Sequence, residues 1–208
     1  MLFTYNPQGV GDVLMVVVAD DQGQAVEVEK KGAIARIRRA DNQEIIAWNF
    51  FQVSDRLHLE GSGQVNLSEA DLALLNDWLA AEGFEERVVP FESPRFVVGE
   101  IVEMEAHPDS DHLNICQVAI GHDKTVQIVA GAPNARVGLK TIVALPGAMM
   151  PKGNLIFPGQ LRGVESFGMM CSPRELALPN APQKRGIIEL AEGVLVGHAF
   201  DPVQHWEA

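Results

Sequence analysis

A chain of 208 residues, 47% of them apolar, is long for one small domain, short for three, and apolar enough for two separate cores. No apolar run approaches the roughly 18 to 20 residues of a membrane-spanning helix, and the start, Met1-Leu2-Phe3-Thr4-Tyr5, lacks the basic-then-apolar order of a secretory signal. The net charge of −12 weighs against partners that demand a basic face, nucleic acid among them.

Residues 12–19 are nearly continuous valine, leucine and methionine between Gly11 and the turn Asp20-Asp21-Gln22-Gly23, and they read as a strand. In residues 25–30, Val26 and Val28 alternate with Glu27 and Glu29, the period-two signature of a half-buried strand. Lys31-Gly32 turns into a third strand over 33–39, where Ile34 and Ile37 break strict alternation and Arg36 and Arg38 share a face. Residues 44–51, rich in isoleucine and aromatics, read as a fourth. A helix then opens at Ser68, the N-cap, with Asp71 completing a capping box. Leu72, Leu75, Trp78 and Leu79 make its buried stripe, and Gly83 ends it. Arg36, Arg38 and Arg39 read as a solvated strand face balanced by nearby acids, and His58 as a surface side chain. Strands closed by a helix imply a small α+β domain over residues 1–88, an antiparallel sheet plus a helix, with no chemical motif and no assignable role.

Residues 85–95, with Pro90 and Pro94 flanking Phe91-Glu92-Ser93, read as a linker into a second domain over 89–202. Strands are predicted at 96–105, 113–120, 125–130 and 140–145, with short ones at 155–157 and 187–190. Residues 136–139 fit a turn. Many short strands separated by Gly and Pro turns imply an all-β barrel or sandwich. The charge is uneven across the halves: residues 1–94 carry seven Lys and Arg against sixteen Asp and Glu, residues 95–208 nine against twelve. Between positions 124 and 174, Lys124, Arg136, Lys140, Lys152, Arg162 and Arg174 face Glu165 alone. A local basic surface on an acidic protein predicts modest affinity with strong salt dependence.

The functional signal is concentrated in residues 161–176 and the loop at 106–113. Arg162, Ser166 and Arg174 set donors beside Met169 and Met170, with Gly163 and Gly168 permitting close backbone approach. Donors beside soft apolar atoms suit phosphates and stackable bases better than a protein interior. His107, Asp109, Asp111 and His112 raise a metal site. Against it, Pro108 fixes a tight turn whose amides either Asp109 or Asp111 could cap, and no second cluster stands elsewhere, so no metal and no cofactor is expected. Cys116 and Cys171 are far apart and lack a Cys-x-x-Cys pattern, which fits reduced thiols in a cytoplasmic protein. Paired carboxylates and a phosphate-cradling loop are missing from the sequence, so an enzyme has the least support.

These segments carry a family resemblance. Val98-Gly99-Glu100-Ile101-Val102, His107-Pro108-Asp109-Ser110-Asp111-His112-Leu113, Gln127-Ile128-Val129-Ala130-Gly131-Ala132-Pro133-Asn134, Val143-Ala144 with Gly147-Ala148, and the run from Leu161 to Ser172 stand in the family's order. Residues 96 to about 200 resemble the tRNA-binding domain of the phenylalanyl-tRNA synthetase β chain, of methionyl-tRNA synthetase appendages and of free-standing tRNA-binding proteins. With its acidic first domain the whole chain resembles the YtpR-type tRNA-binding proteins. The resemblance implies an OB-fold barrel and non-catalytic, shape-directed tRNA binding, with action beside an aminoacyl-tRNA synthetase and pairing into a homodimer as further expectations. By position, Ser166 and Met169 lie on the segment the family uses against tRNA. Asn114, Lys140, Lys152 and Arg162 join them as RNA-binding candidates on charge and strand-end placement. The chain departs from the family at His112, where lysine is common, and at Val126, where some relatives have arginine. The alternative is a protein-interaction adaptor whose barrel has little RNA affinity and whose acidic first domain docks a basic partner.

Overall fold

The computed structural model describes residues 1–91 and 93–206. It divides into two compact units, Met1–Glu92 and Ser93–Ala208. Glu92, inside the expected linker, lies outside the described residues. Among the described residues no helix is long and apolar enough to cross a membrane.

The first unit is an antiparallel sheet with one helix. Its strands are β1 (Leu2–Tyr5), β2 (Val13–Val17), β3 (Val26–Lys31), β4 (Ile34–Arg39), β5 (Ile45–Phe51) and β6 (Gly63–Gln64), in the order β3-β4-β5-β2-β1-β6. Within β2, Leu14 and Val16 are fully buried while Val13, Met15 and Val17 are half-buried. A sheet with apolar residues on both faces thus hides its period of two inside a continuous apolar run. β1 lies outside the predicted set, although Phe3 and Tyr5 alternate with Thr4. The register slips between Ile37 and Arg38, which face Ala47 and Ile45. The extra residue, Ile46, offers its carbonyl to Val18 and Ala19 instead, a bulge in β5 that lies beyond the regularly paired stretch Ile34 to Ile37.

Helix α1 (Glu69–Ala81) starts on the predicted capping box: Ser68 Oγ accepts from the Asp71 amide and the Asp71 carboxylate accepts from the Ser68 amide. Leu75, Trp78 and Leu79 bury against Trp48, Phe50, Leu14 and Ile34, with Phe50 and Trp78 ring centres 5.6 Å apart. The arginine strip is less solvated than its sequence implies. Arg36 is clamped between Glu29 and Glu86, and Arg39, only 7% exposed, is paired with Asp41 and hydrogen-bonded to Gln22. The balancing acids are present, but they carry two of the three guanidinium groups below the surface.

The second unit is a nearly closed barrel. β7 (Phe96–Ala106), β8 (Asn114–Ala119) and β9 (Thr125–Ala130) form a meander, and β10 (Lys140–Ala144) returns to pair with β7. β11 (Gly159–Leu161) and β12 (Val164–Ser166) make a hairpin, and β13 (Met169–Met170) pairs with β10. The sheet order is β13-β10-β7-β8-β9. The Phe167 amide donates to the Gln127 carbonyl at 2.8 Å, bringing the end strands together. This is the five-stranded topology of an OB-like barrel. Gly168, at φ +149, makes that seam: a Cβ there would lie 2.8 Å from the Ala144 carbonyl oxygen.

Val97, Ile101, Cys116, Val118, Ile128, Val143 and Met170 fill the interior. A second layer, with Val98, Ile142 and Cys171 against Leu176, Leu178 and Ile188, covers an outer wall. Two predicted strands dissolve into this covering layer. Leu155 forms only an isolated bridge to Met149, and residues 187–190 run extended, with Ile188 and Leu190 amides donating to the Cys171 and Lys140 carbonyls. The β11–β12 turn has Arg162 and Gly163 both at positive φ, the arrangement two-residue hairpins favour. Gly163 therefore serves the turn itself.

Burial pushes the Cys116 thiol up to about 11 and the Cys171 thiol up to about 12. Both are expected to resist a thiol-specific disulfide reagent in the native protein and to react fully in denaturant. Rapid native labelling would contradict the packing. Below roughly pH 8.5 both folded and unfolded chains keep the protons. As pH rises past that point the unfolded chain ionises first, so these thiols lower stability increasingly up to their folded values.

Candidate nucleic-acid interface

The site is built from loops gathered at one end of the barrel. In the loop at 107–113, His107 is 3% exposed; its Nδ1 accepts from the Asp109 amide at 3.0 Å, and its Nε2 lies 3.1 Å from the Leu161 carbonyl. An accepting Nδ1 leaves the proton on Nε2, which donates to Leu161 and ties the loop to the β11–β12 hairpin. Neither nitrogen is left for a metal. Ser110 Oγ accepts from the Leu113 amide, so a hydroxyl caps the turn for which the sequence offered Asp109 or Asp111. The Asp111 carboxylate lies 2.9 Å from His112 Nδ1, and this contact holds Asp111 below the usual carboxylate range. Among the described residues no three His, Cys, Asp or Glu side chains gather as a metal site.

Beside this loop runs a trough of three adjoining chambers. The first, about 370 Å³, lies between Leu113, Pro133, Met169, Arg174, Arg185 and Ile187. The second, about 570 Å³, lies between Met150, Lys152, Asn154, Ile156 and Met169. The third, about 550 Å³, is bounded by Asp111, His112, Asn114, Pro133 and Arg185. Met169, Ser172, Arg174 and Glu175 border both the first and second. His112, Leu113, Pro133 and Arg185 border both the first and third.

Two local devices shape the wall. Ser172 Oγ accepts from the Glu175 amide, while Glu175 Oε2 accepts from the Ser172 amide and hydroxyl. This reciprocal lock presents Arg174 outward. Asn134 clasps Ile187, donating to its carbonyl and accepting from its amide at 2.9 and 3.0 Å. Gly186 is required there: it sits at φ +145, and a Cβ would meet Asn134 Oδ1 at 2.9 Å. The clasp fixes the position of Arg185. Lys152, Arg174 and Arg185 are exposed, and among the described residues none of them is ion-paired with a carboxylate. The bordering acids, Glu175 and Asp111, are engaged as described. The trough is locally cationic on an acidic chain.

The six candidate residues separate. Met169, Lys152 and Asn114 line the trough. Arg162 stands at the exposed hairpin tip and donates to the Asp109 carbonyl at 2.9 Å, on the loop that walls the third chamber. Ser166 is only 5% exposed; its hydroxyl accepts from the Val129 amide at 3.1 Å and turns into the barrel seam. The Lys140 ammonium donates to the carbonyls of Glu192 and Val194. Neither Ser166 nor Lys140 borders a chamber. Arg185 went unnoticed in the sequence, though Lys184-Arg185-Gly186 before the buried pair Ile187-Ile188 is a readable signal.

An OB-like barrel with a cationic trough between its loops is a polynucleotide-binding class of architecture. Residues 96–199 match the family described as "Putative tRNA binding domain", and residues 21–89 match "Domain of unknown function (DUF4479)". The chain is 41% identical over 196 residues to the "Putative tRNA-binding protein YtpR" of Bacillus subtilis (strain 168), covering 94% of this chain and 97% of that protein. The chain belongs to this family. It is also 45% identical over 148 residues to the phenylalanine–tRNA ligase β subunit of Rhodospirillum rubrum, and 48% over 101 residues to that of Aromatoleum aromaticum. Those matches cover 65% and 49% of this chain but only 18% and 12% of the β subunits.

Proposed function

We propose that this protein binds tRNA non-catalytically, in the cytoplasm, through the trough of its second unit. The observation that carries the reading is a family tRNA-binding barrel whose loops present Lys152, Arg174 and Arg185 free of acidic partners among the described residues. Met169 and Asn114 contribute contacts inside the trough, and Arg162 contributes one from the hairpin tip. Ser166 and Lys140 act as positioning residues, the first through the barrel seam and the second by holding the segment at 192–194. Recognition is shape-directed, because cations and soft side chains meet sugar, phosphate and base faces without reading base edges. Similarity to synthetase β subunits supports action beside such an enzyme. Pairing of two copies belongs to the same reading, and light scattering giving a monomer mass at every concentration would remove it.

Titration with mixed tRNA at about 50 and about 200 mM salt tests the whole. Three phosphate contacts imply a fall in affinity of roughly 20- to 40-fold across that range. No binding at the lower salt would end the proposal.

A further inference from the structure

We propose that the trough holds an unpaired run of three nucleotides, with one sugar–base body per chamber and phosphates at Arg185 and Arg174. This deepens the tRNA-binding reading and rests on it. A polynucleotide strand alternates bulky sugar–base bodies with anionic phosphates. The trough has the matching alternation: Arg185 stands where the third and first chambers meet, Arg174 where the first and second meet, and Lys152 borders the second alone.

The chamber volumes fall in the range that encloses one small-molecule-sized body. A duplex keeps its bases inside its own stack and presents a phosphodiester ridge, so it could meet the three cations but could not fill the chambers. The lining suits a base face. Met169 offers a polarisable thioether at one boundary and Pro133 an apolar ring at the other, while His112, Arg174 and Arg185 offer planar groups on which bases stack. Three backbone groups beside the trough are already in use. Ile187 is clasped by Asn134, and the Ser172 amide is bound to Glu175. Such a lining discriminates poorly among bases and favours any flexible, unstacked stretch.

The test uses the full chain with fluorescein-labelled single-stranded RNA of two, three and six nucleotides, a blunt RNA duplex, and tRNA as competitor. Affinity is expected to rise about tenfold from dinucleotide to trinucleotide and to level off at the hexanucleotide, since the third base stacks in the remaining chamber and a fourth finds none. The hexanucleotide should displace tRNA. Arg174→Ala and Arg185→Ala should each weaken trinucleotide binding at least fivefold and flatten the salt slope by about 0.7. If the duplex displaces tRNA and the hexanucleotide does not, the unpaired-strand inference falls while tRNA binding stands. Hexanucleotide binding that ignores both arginine changes also overturns it, because the strand then lies elsewhere. Failure of tRNA and oligonucleotides alike removes both readings.

Discussion

Converting Arg174 and Arg185 together to glutamate is expected to weaken tRNA binding by roughly 100-fold or more. Hydrogen bonds to charged groups contribute about 1.5–3 kcal/mol each, and two lost contacts alone reach that factor before repulsion is added. Both side chains are exposed and free of carboxylate partners among the described residues, so the fold has little reason to respond. Thermal unfolding of the double variant should match the parent within a few degrees. The informative control is Lys124→Glu, a reversal at an exposed turn outside the trough. If binding depended on the overall field of a chain at −12, Lys124→Glu would act in proportion to its charge. If the trough decides, it should change affinity less than about twofold, because exposed charges farther apart than the Debye length, roughly 8 Å at physiological salt, are largely screened from each other. Equal sensitivity of the control and the double variant would refute the local reading.

The same contrast shows what the sequence could disclose. Residues 161–176 and the loop at 106–113 are legible as a candidate site because their residue types do not follow core periodicity. Their companions were harder to see. The trough joins the turn at 131–133, residues 150–156 and residues 185–187, which lie far apart in the chain. Only barrel closure brings Arg185 beside Met169. Ser166 and Met169 are three residues apart, yet the seam through Gly168 sends the Ser166 hydroxyl inward to Val129 while Met169 borders two chambers. No local pattern encodes that divergence. The strands of the meander are legible as short runs separated by Gly and Pro turns, whereas 187–190 mimics a strand because it is extended and apolar. Its hydrogen bonds go to Cys171 and Lys140 one residue at a time. In the first unit the capping box at Ser68 was fully local and therefore readable. The burial of Arg39 depends on Gln22 and Asp41, which the turns of the sheet bring to it.

In each unit an asparagine clasps the backbone of a buried residue, and this gives the second large effect. Asn76 sits on the apolar stripe of α1, 6% exposed, and its amide donates to the Leu72 and Val88 carbonyls while its oxygen accepts from the Val88 amide. Asn134 treats Ile187 the same way. Each side chain acts as one rung of a β-ladder, satisfying both polar groups of a residue that has no strand beside it. Asn76→Ala should cost about 2–5 kcal/mol, because Val88 is fully buried and both its groups would be left without partners. Asn134→Ala should cost less, about 1–3 kcal/mol, since Asn134 is only half-buried and water can replace part of the contact. The binding consequences should be opposite in rank. Releasing Ile187 frees the segment that carries Arg185, so Asn134→Ala should lower tRNA affinity several-fold at a temperature where the protein remains folded. Asn76→Ala, under the same condition, should leave affinity unchanged. Denaturant unfolding gives the first comparison, and amide exchange at Val88 and Ile187 shows whether each loss is local. An Asn134→Ala protein that exchanges faster at Ile187 yet binds tRNA at full strength would mean that Arg185 needs no fixed position. The trough would then owe its affinity to charge alone.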